Sequence, residues 1–481
     1  MTTSTLLAAL IAGSLFRFNV GPDVPPLVTQ MPPALEVSVS ADLVRPELSW
    51  WTLYNDPILN ACVEQAFKRN AGLDMAIARV EQARAALGES RSFQSPTLDA
   101  QGSTARGRVL GPVPGSQTEQ EQNILMGSVN YEVDFFGRMK KATAAARADW
   151  LATQAARDSV RLILAGDVAK TYFGLRGADA QLRIAQKTLA ARMQSLELQR
   201  ELYTLGRDSE LNYRRAQADT AQIAVQVKQF ENNLARFEHA LLVLLGYEPK
   251  EMVRLQGQAP LSEDIAPQLP DVPIGLPSDL LVRRPDILQA EQQYLAAMAR
   301  VGQANAARYP SFSLTGLFGA ASNELGDLFS GPTGWSLTGQ LLAPVFDAGR
   351  RKSRLEQAEA RAWESRAFYE QTVRVAFQET LNALVNREKT NQSAQLLMVR
   401  EEAQQRSYEL ATFLYDKGRV GQIDVLDAQR LLLQAQLDRE SNHTAQLNAV
   451  VDVCLAIGGG WKARVSDDLE LLPVKKRYLQ K

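Results

Sequence analysis

Two hydrophobic patterns divide this 481-residue chain into long helical stretches and short extended ones. Apolar residues recur every seven positions from Val168 to Tyr203, and at alternating spacings of four and three from Ile223 to Leu244. Both are heptad patterns, which predict helices packed side by side with a left-handed twist. No proline occurs from Met139 to Leu205. We therefore expect one helix of roughly 100 Å there, far longer than a globular helix.

Shorter stretches alternate between polar and apolar residues, which is typical of strands with one polar and one apolar face. The clearest is 128–135, and 312–315 and 335–341 behave alike. A fourth candidate, 98–108, is rich in glycine and arginine and barely alternates. We expect a hairpin of strands in each half of the chain, each strand about ten residues long, which crosses a bilayer when tilted. If these are membrane strands, the alternation predicts that Val129, Tyr131, Val133 and Phe135 face lipid. It predicts that Asn130, Glu132 and Asp134 face the lumen.

The chain also contains an internal duplication. Gly137-Arg138 recurs as Gly349-Arg350, and Gly206-Arg207 recurs as Gly418-Arg419, both at an offset of 212 residues. Agreement at one offset over about 110 residues indicates a real repeat. Each half therefore reads as a helix, a break, a hairpin and two long helices.

The repeat predicts how the chain is divided. We expect a signal-like segment at 1–19, a first half at 20–270, a second half at 271–461 and a C-terminal tail at 462–481. Within the halves we expect hairpins at about 98–136 and 311–346, and long helices at 137–246 and 349–457. A proline-rich linker, Gln258 to Pro277, joins the halves.

The N-terminus suits a signal peptide only in part. The apolar run from Leu6 to Ala12 has the length of a signal-peptide core and is too short to span a bilayer as a helix. The usual basic region before it is missing. No other stretch approaches 18 consecutive apolar residues, so a membrane span in this chain would consist of β-strands.

Composition argues against several classes of protein. The 53 basic and 54 acidic residues give a net charge of −1, whereas nucleic-acid binding usually shows as a basic excess. Two cysteines, Cys62 and Cys454, are too few for a disulfide framework, and we expect buried unpaired thiols. His239 and His443 lie far apart in helical stretches. We therefore expect no catalytic site, no metal site and no cofactor.

The two hairpins have two interpretations. They could pack together as a small soluble sandwich, or they could be membrane strands. Their positions at corresponding ends of long helices favour the second, because they would gather at one end of a helical bundle. Four strands cannot close a transmembrane barrel, for which about eight are the minimum. Three chains would supply twelve, so membrane strands require an oligomer.

Several motifs, combined with the duplication, match one known family over about Val20 to Trp461. They are Val20-Gly21-Pro22-Asp23, Trp50-Trp51, Asp56-Pro57, Asp134-Phe135-Phe136-Gly137-Arg138, Leu280-Leu281-Val282-Arg283-Arg284-Pro285-Asp286-Ile287, Asp424-Val425-Leu426-Asp427-Ala428-Gln429 and Gly458-Gly459-Gly460-Trp461. On these motifs the chain resembles the TolC-like outer-membrane factor family, in particular its OprM/NodT-like branch. The Arg-Arg-Pro-Asp-Ile run and the duplication together are highly specific for this family.

The resemblance implies an α+β membrane protein, a homotrimer with a twelve-stranded transmembrane β-barrel, four strands per protomer. This barrel would continue into a long periplasmic α-helical barrel. The implied function is the outer-membrane exit duct of a tripartite multidrug efflux pump of the resistance–nodulation–division class. Drugs would arrive from an inner-membrane transporter through a periplasmic adaptor protein, and the duct would not be an enzyme.

Alternative functions stay open at this point. A duct for type I protein secretion or for metal efflux would have the same architecture. A soluble coiled-coil scaffold is the alternative from another class of protein. The resemblance does not identify the cargo.

Lipoprotein members of the family carry a cysteine just before the Val20 motif. This chain has Arg17-Phe18-Asn19 there, and Cys62 and Cys454 both lie far from it. No lipid-attachment site is therefore predicted.

The resemblance also implies a constriction at the periplasmic end, formed by rings of Asp424 and Asp427. These residues lie three apart, hence on one face of a helix that follows the Gly418 turn. Threefold symmetry would gather six carboxylates around one axis, and such rings attract cations. Alternatively, Asp424 only stabilises the first turn of its helix through the helix dipole.

Other residues of the family's closing network match in part. Tyr415 falls on the family tyrosine. The family arginine falls on Val420, with Arg419 one residue early, and the family aspartate of the first repeat falls on Asn212. We therefore expect Tyr415 and Arg419 to help close the channel through a network that differs from the family pattern.

Overall fold

A computed structural model describes residues 49–110, 117–255, 269–270 and 284–459. The helices are α1 (Pro57–Arg69), α2 (Ala71–Ser92), α3 (Arg138–Thr204), α4 (Glu210–Leu244), α5 (Pro249–Leu255), α6 (Pro285–Ala306), α7 (Arg350–Asp416) and α8 (Gln422–Ala456). The strands are β1 (Thr97–Leu110), β2 (Gln117–Val133), β3 (Ser311–Ser322) and β4 (Thr333–Leu342). Short 3-10 turns occur at Trp50–Tyr54 and Leu325–Leu328.

Some predictions fall outside the described residues. They are those for the signal-like segment at 1–19, the Val20 motif and the tail at 462–481. The linker from Gln258 to Pro277 is described only at residues 269 and 270.

The duplication reappears in the lengths of the long helices. The helices α3 and α7 each have 67 residues, and α4 and α8 each have 35. The first residues of α3 and α7, Arg138 and Arg350, differ by 212 positions, as do the first residues of α4 and α8. At 1.5 Å per residue α3 is roughly 100 Å long. The long uninterrupted helix predicted from Met139 to Leu205 is therefore present.

The turn between α3 and α4 and the turn between α7 and α8 each contain a glycine with a left-handed backbone conformation. Gly206 and Gly418 have φ angles of +64° and +68°. This left-handed region costs other residues about 1–2 kcal/mol because of contacts made by Cβ. An added Cβ would meet no atom within 4 Å at either position. The backbone conformation alone therefore favours glycine at both turns.

By contact density the chain separates into two compact units, and the described residues of each come from both halves of the repeat. The first takes its described residues from 78–155 and 289–371, and the second from 30–77, 156–288 and 372–481. The division of the sequence at residue 270 stays a prediction.

The first unit contains one four-stranded antiparallel sheet in the order β1-β2-β3-β4. β1 pairs with β2 along its whole length, from Thr97 opposite Asn130 to Leu110 opposite Gln117. Its weak alternation therefore did not prevent strand formation. The second hairpin joins the first through β2 and β3, where Val133 lies opposite Phe312.

The register of the strands separates an apolar from a polar face, because paired residues point to the same side. One face carries Leu98, Leu125, Val129, Tyr131, Val133, Phe312, Leu314, Phe318, Trp335, Leu337 and Leu341. The other carries Asp99, Gln101, Ser128, Asn130, Glu132, Ser313, Thr315, Ser336, Thr338 and Gln340. Trp335 is 80% exposed on the apolar face of the single chain. Phe135, predicted on that face, follows the end of β2 at Val133.

In the second unit the heptad positions of α3 and α4 pack together. Leu182, Ala185 and Val227 form a buried cluster, and Leu189, Phe230 and Leu234 pack against it. Full burial of a leucine or valine side chain contributes about 1.5–3 kcal/mol. The seam loosens toward the turn, where Tyr203 is 39% exposed. The predicted side-by-side packing of the helices is therefore observed.

The core of the second unit contains a group of aromatic residues beside a buried carboxylate. Trp50, Tyr54, Tyr172 and Phe173 are at most 1% exposed. Asp56, also fully buried, accepts hydrogen bonds from the first turn of α1 and from the Tyr172 hydroxyl at 2.8 Å. These bonds satisfy a carboxylate that burial would otherwise make very costly. Cys62 and Cys454 are buried free thiols, as predicted.

The second repeat begins with a buried arginine. Arg284 is 7% exposed and donates to Asp286, to Glu379 on α7 and to the Ala456 carbonyl on α8. Two carboxylates and a carbonyl thus compensate its charge. These bonds connect the Arg-Arg-Pro-Asp-Ile motif to the middle of α7 and to the end of α8.

Among the described residues, no helix combines the length and the hydropathy needed to cross a membrane.

Candidate functional site at the hairpin turns

The predicted site residues lie around the turn between α7 and α8. Gly418 N donates to the Tyr415 carbonyl at 2.8 Å, and Arg419 N donates to the Leu414 carbonyl at 2.9 Å. The α3–α4 turn at Gly206 has the equivalent pair of bonds. Such bonds satisfy carbonyls that a helix end leaves without a partner. The turn therefore fixes where α8 begins and where its first carboxylates lie.

Asp424 lies in the first turn of α8 and is exposed. Its Oδ2 accepts a hydrogen bond of 2.9 Å from the backbone N of Gly421, the residue that precedes the helix. A carboxylate here also interacts favourably with the helix dipole. The local role that the sequence left open as an alternative is therefore present, and it holds the carboxylate at the helix end.

Asp427 lies one turn further along the same face of α8. Arg430 Nη2 donates to its Oδ1 at 3.3 Å, and the two side chains are 67% and 60% exposed. An exposed pair of this kind contributes only about 0.2–1 kcal/mol. Within the single chain Asp427 therefore keeps most of its contact with solvent, unlike a carboxylate used for packing.

Tyr415 contacts the first repeat through a residue that sequence reasoning missed. Its hydroxyl accepts a hydrogen bond of 3.1 Å from Gln199 Nε2 of α3, a side chain only 1% exposed. Asn212, which replaces the family aspartate, instead donates to Asp208 Oδ1 at 2.7 Å. Tyr415 therefore connects α7 to α3 through an amide and not through residue 212.

Arg419 is exposed beside the turn. Within the part of the chain that the structure describes, it forms no ion pair. Its backbone nitrogen donates to the Leu414 carbonyl and so closes the turn.

Arg192 of α3 is a second residue that sequence reasoning missed. Its side chain is only 4% exposed and lies beside the turn of α8 that carries Asp424 and Asp427, the acidic pair. Nη1 donates to Asp219 Oδ2 of α4 at 2.9 Å, and Nη2 donates to the Leu426 carbonyl of α8 at 3.2 Å. Burial lowers the pKa of the guanidinium and Asp219 counteracts this, yet an arginine stays protonated. The side chain is therefore a buried cation shared by three helices.

A sequence signal for both missed residues exists. Arg192 and Gln199 each lie three positions after a seam leucine, Leu189 and Leu196, where a second apolar residue is usual in a heptad. A polar residue at such a position is buried with the seam and needs a partner. A polar residue at a seam position could therefore have identified Arg192 and Gln199 from the sequence.

The chain matches known proteins over nearly its whole length. The family described as "Outer membrane efflux protein" matches residues 62–247 and 276–459. The "Probable efflux pump outer membrane protein TtgC" of Pseudomonas putida is 33% identical over 474 residues, 96% of each chain. The "Cation efflux system protein CusC" of Escherichia coli is 31% identical over 468 residues, 96% of this chain and all of that one.

A solved structure shows the same fold. The outer-membrane channel OprN superposes with a TM-score of 0.81 at 30% identity, over 92% of this chain and 99% of that one. These matches confirm the predicted resemblance, the channel fold with its strands and long helices, the outer-membrane location and the efflux role. The family is one of channels and not a class of enzymes. The chain belongs to the outer membrane efflux protein family.

Proposed function

We propose that this chain, as a homotrimer, is the exit duct of a tripartite efflux system for drugs and organic solvents. This proposal rests mainly on the sheet, which has one apolar and one polar face. Large exposed apolar surfaces mark contact with a membrane or a partner. The apolar face suits lipid, and the polar face suits a water-filled lumen.

The edges of the sheet support the trimer. β1 and β4 each pair on one side only within the described residues. Unpaired backbone groups in lipid cost several kcal/mol each, and four strands cannot close a barrel. Three copies would pair β4 of one protomer with β1 of the next. The mass measured in detergent should be that of three chains, and a stable monomer would contradict the barrel.

The cargo and the partners proposed for this chain are based on those of similar proteins. Similar proteins are named for the efflux of toluene, of solvents and of antibiotics. We expect the duct to receive such compounds from an inner-membrane transporter through a periplasmic adaptor, with no catalytic step of its own. In a strain lacking its native duct, this chain should restore resistance only when the matching transporter and adaptor are present.

Asp424 and Asp427 are proposed to form the narrow, cation-binding part of the channel. Their exposure, their common face on α8 and their place directly after the turn support this role. Six carboxylates on a narrow axis would bind multivalent cations. The contribution of Tyr415 is to hold α7 to α3 through Gln199. Arg419, exposed beside the same turn, is proposed to help Tyr415 keep the channel closed.

Single-channel recording tests the constriction. Hexaamminecobalt(III) should block the wild-type trimer, and Asp424→Asn combined with Asp427→Asn should abolish that block. The matched control removes two exposed carboxylates elsewhere, Glu402→Gln with Glu409→Gln on α7, and should leave block intact. Block that survives the first pair of substitutions would place the constriction elsewhere.

A second candidate is efflux of metal cations. It is favoured by the similarity to a cation efflux protein and by the acidic pair on α8. Drug efflux and metal efflux can be distinguished by deleting the gene for this chain and measuring which compounds then inhibit growth of the cell. Sensitivity to metal salts alone, with unchanged tolerance of toluene and antibiotics, would favour the second.

A further inference from the structure

The buried guanidinium of Arg192 contacts the backbone of α8 at one residue, Leu426. That residue lies between Asp424 and Asp427 in sequence, so its carbonyl belongs to the same turn of helix as both carboxylates. A hydrogen bond from a charged donor is about twice as strong as a neutral one. The contact therefore restrains the one helical turn that carries the acidic pair.

Asp219 allows this cation to be buried. It lies on α4 with its side chain 36% exposed and accepts from Nη1 at 2.9 Å, whereas Arg192 is almost fully enclosed. A buried charge without a partner is strongly destabilising. The planar guanidinium can reach two acceptors at once in fixed directions, which an ammonium cannot do in the same geometry. One side chain thus connects α3, α4 and α8.

The repeat shows that this contact is specific to one hairpin. At the 212-residue offset, Arg192 and Asp219 correspond to Gln404 and Leu431. Leu431 is 42% exposed and carries no charge that could compensate a cation. The contact is therefore not a general requirement for packing two long helices of this kind.

We propose that Arg192 is a positioning residue that holds the acidic turn of α8, and with it the carboxylates of Asp424 and Asp427, at the channel axis. This inference rests on the proposed constriction. Its effect would be on where the carboxylates lie, and Arg192 itself would not contact the cation.

The test uses the full trimer in planar bilayers, with hexaamminecobalt(III) as the probe. Arg192→Met should raise the concentration for half-block about tenfold or more, which is the factor expected when a hydrogen bond to a charged group is lost. Resting conductance should rise as well. Gln404→Met places methionine at the equivalent position of the second repeat and should alter neither quantity.

The sign of the effect separates positioning from simple electrostatics. Removing a positive charge near carboxylates should strengthen cation binding, so an electrostatic role predicts a lower half-block concentration for Arg192→Met. Loss of positioning predicts a higher one. An unchanged or lower half-block concentration would overturn the proposal.

Arg192→Lys covers the case in which methionine prevents assembly of the trimer. It keeps the charge beside Asp219, so electrostatics alone predicts no change, while loss of the two-acceptor geometry predicts weaker block. A lysine variant with wild-type block and wild-type conductance would contradict the proposal.

The failure of the constriction itself is recognisable. Block would then survive Asp424→Asn with Asp427→Asn in a channel with wild-type Arg192. In that case the resting conductance alone tests the role of Arg192. If Arg192→Met conducts like Gln404→Met, the arginine does not position any residue in the pore.

Discussion

The α3–α4 hairpin and the α7–α8 hairpin have equal helix lengths and turn at the equivalent glycines Gly206 and Gly418, but their polar residues differ. Where the second hairpin has Asp424 and Asp427, the first has Asn212 and Arg215. Residues that fix the backbone are thus kept in both copies, because each copy must make the same turn. Residues that face other helices or solvent differ, because each hairpin has different surroundings.

The difference extends into the packed seam. Arg192 and Gln199 of α3 are buried and reach α8 and α7 respectively. The equivalent residues of α7 are Gln404 and Ala411. These two polar contacts between the halves therefore originate from buried residues of the first hairpin. The second hairpin supplies the acidic pair.

The largest effect should come from giving the second hairpin the residues of the first. Asp424→Asn with Asp427→Arg reproduces the Asn212 and Arg215 pair. We expect complete loss of cation block and a change from cation to anion preference, because arginine replaces carboxylate on the axis. Reversal potentials in a salt gradient measure this. An unchanged cation preference would show that the acidic pair does not line the pore.

The two tyrosines before the turns should differ in their contribution to stability. Tyr415→Phe removes the partner of the buried Gln199 amide and should lower the free energy of unfolding by about 1–3 kcal/mol. Its counterpart Tyr203 is 39% exposed and stacks on Tyr213. Tyr203→Phe keeps the ring, so a change within about 0.5 kcal/mol is expected. Denaturant titration followed by circular dichroism compares them, and equal losses would contradict the difference.

The two turns, in contrast, should respond alike. Gly206→Ala and Gly418→Ala each force a residue with Cβ into the left-handed region, and each should cost about 1–2 kcal/mol. No neighbouring atom adds to this cost at either site. The same titration measures both. A much larger loss at Gly418 alone would mean that the second turn is packed in the trimer.

The smallest effect is expected for Arg430→Ala. Its ion pair with Asp427 is exposed on both sides, so the loss of stability should be at most about 1 kcal/mol. In 0.5 M salt the difference from wild type should shrink, because screening weakens exposed pairs. A larger, salt-independent loss would show that this pair is buried between protomers.

Patterns in the sequence determined the architecture. The heptads predicted the long helices, the 212-residue offset predicted two matching hairpins, and alternation at 128–135 predicted the apolar face of β2. These features depend on neighbours along one element, so their period is visible in a single stretch. The strand β1 was harder to recognise, because its pairing with β2 and not its own alternation defines it.

Only the tertiary structure decided how the polar residues of the hairpins are used. Arg192 bonds to a carbonyl 234 residues away, and Gln199 to a hydroxyl 216 residues away. A seam position predicts that a side chain is buried, but the partner of a buried polar group depends on which helices meet there. The sequence therefore determined the long helices and three of the four strands by itself, and it placed Asp424 and Asp427 on one face of a helix. The contacts that hold the acidic turn exist only because folding brings α3, α4 and α8 together.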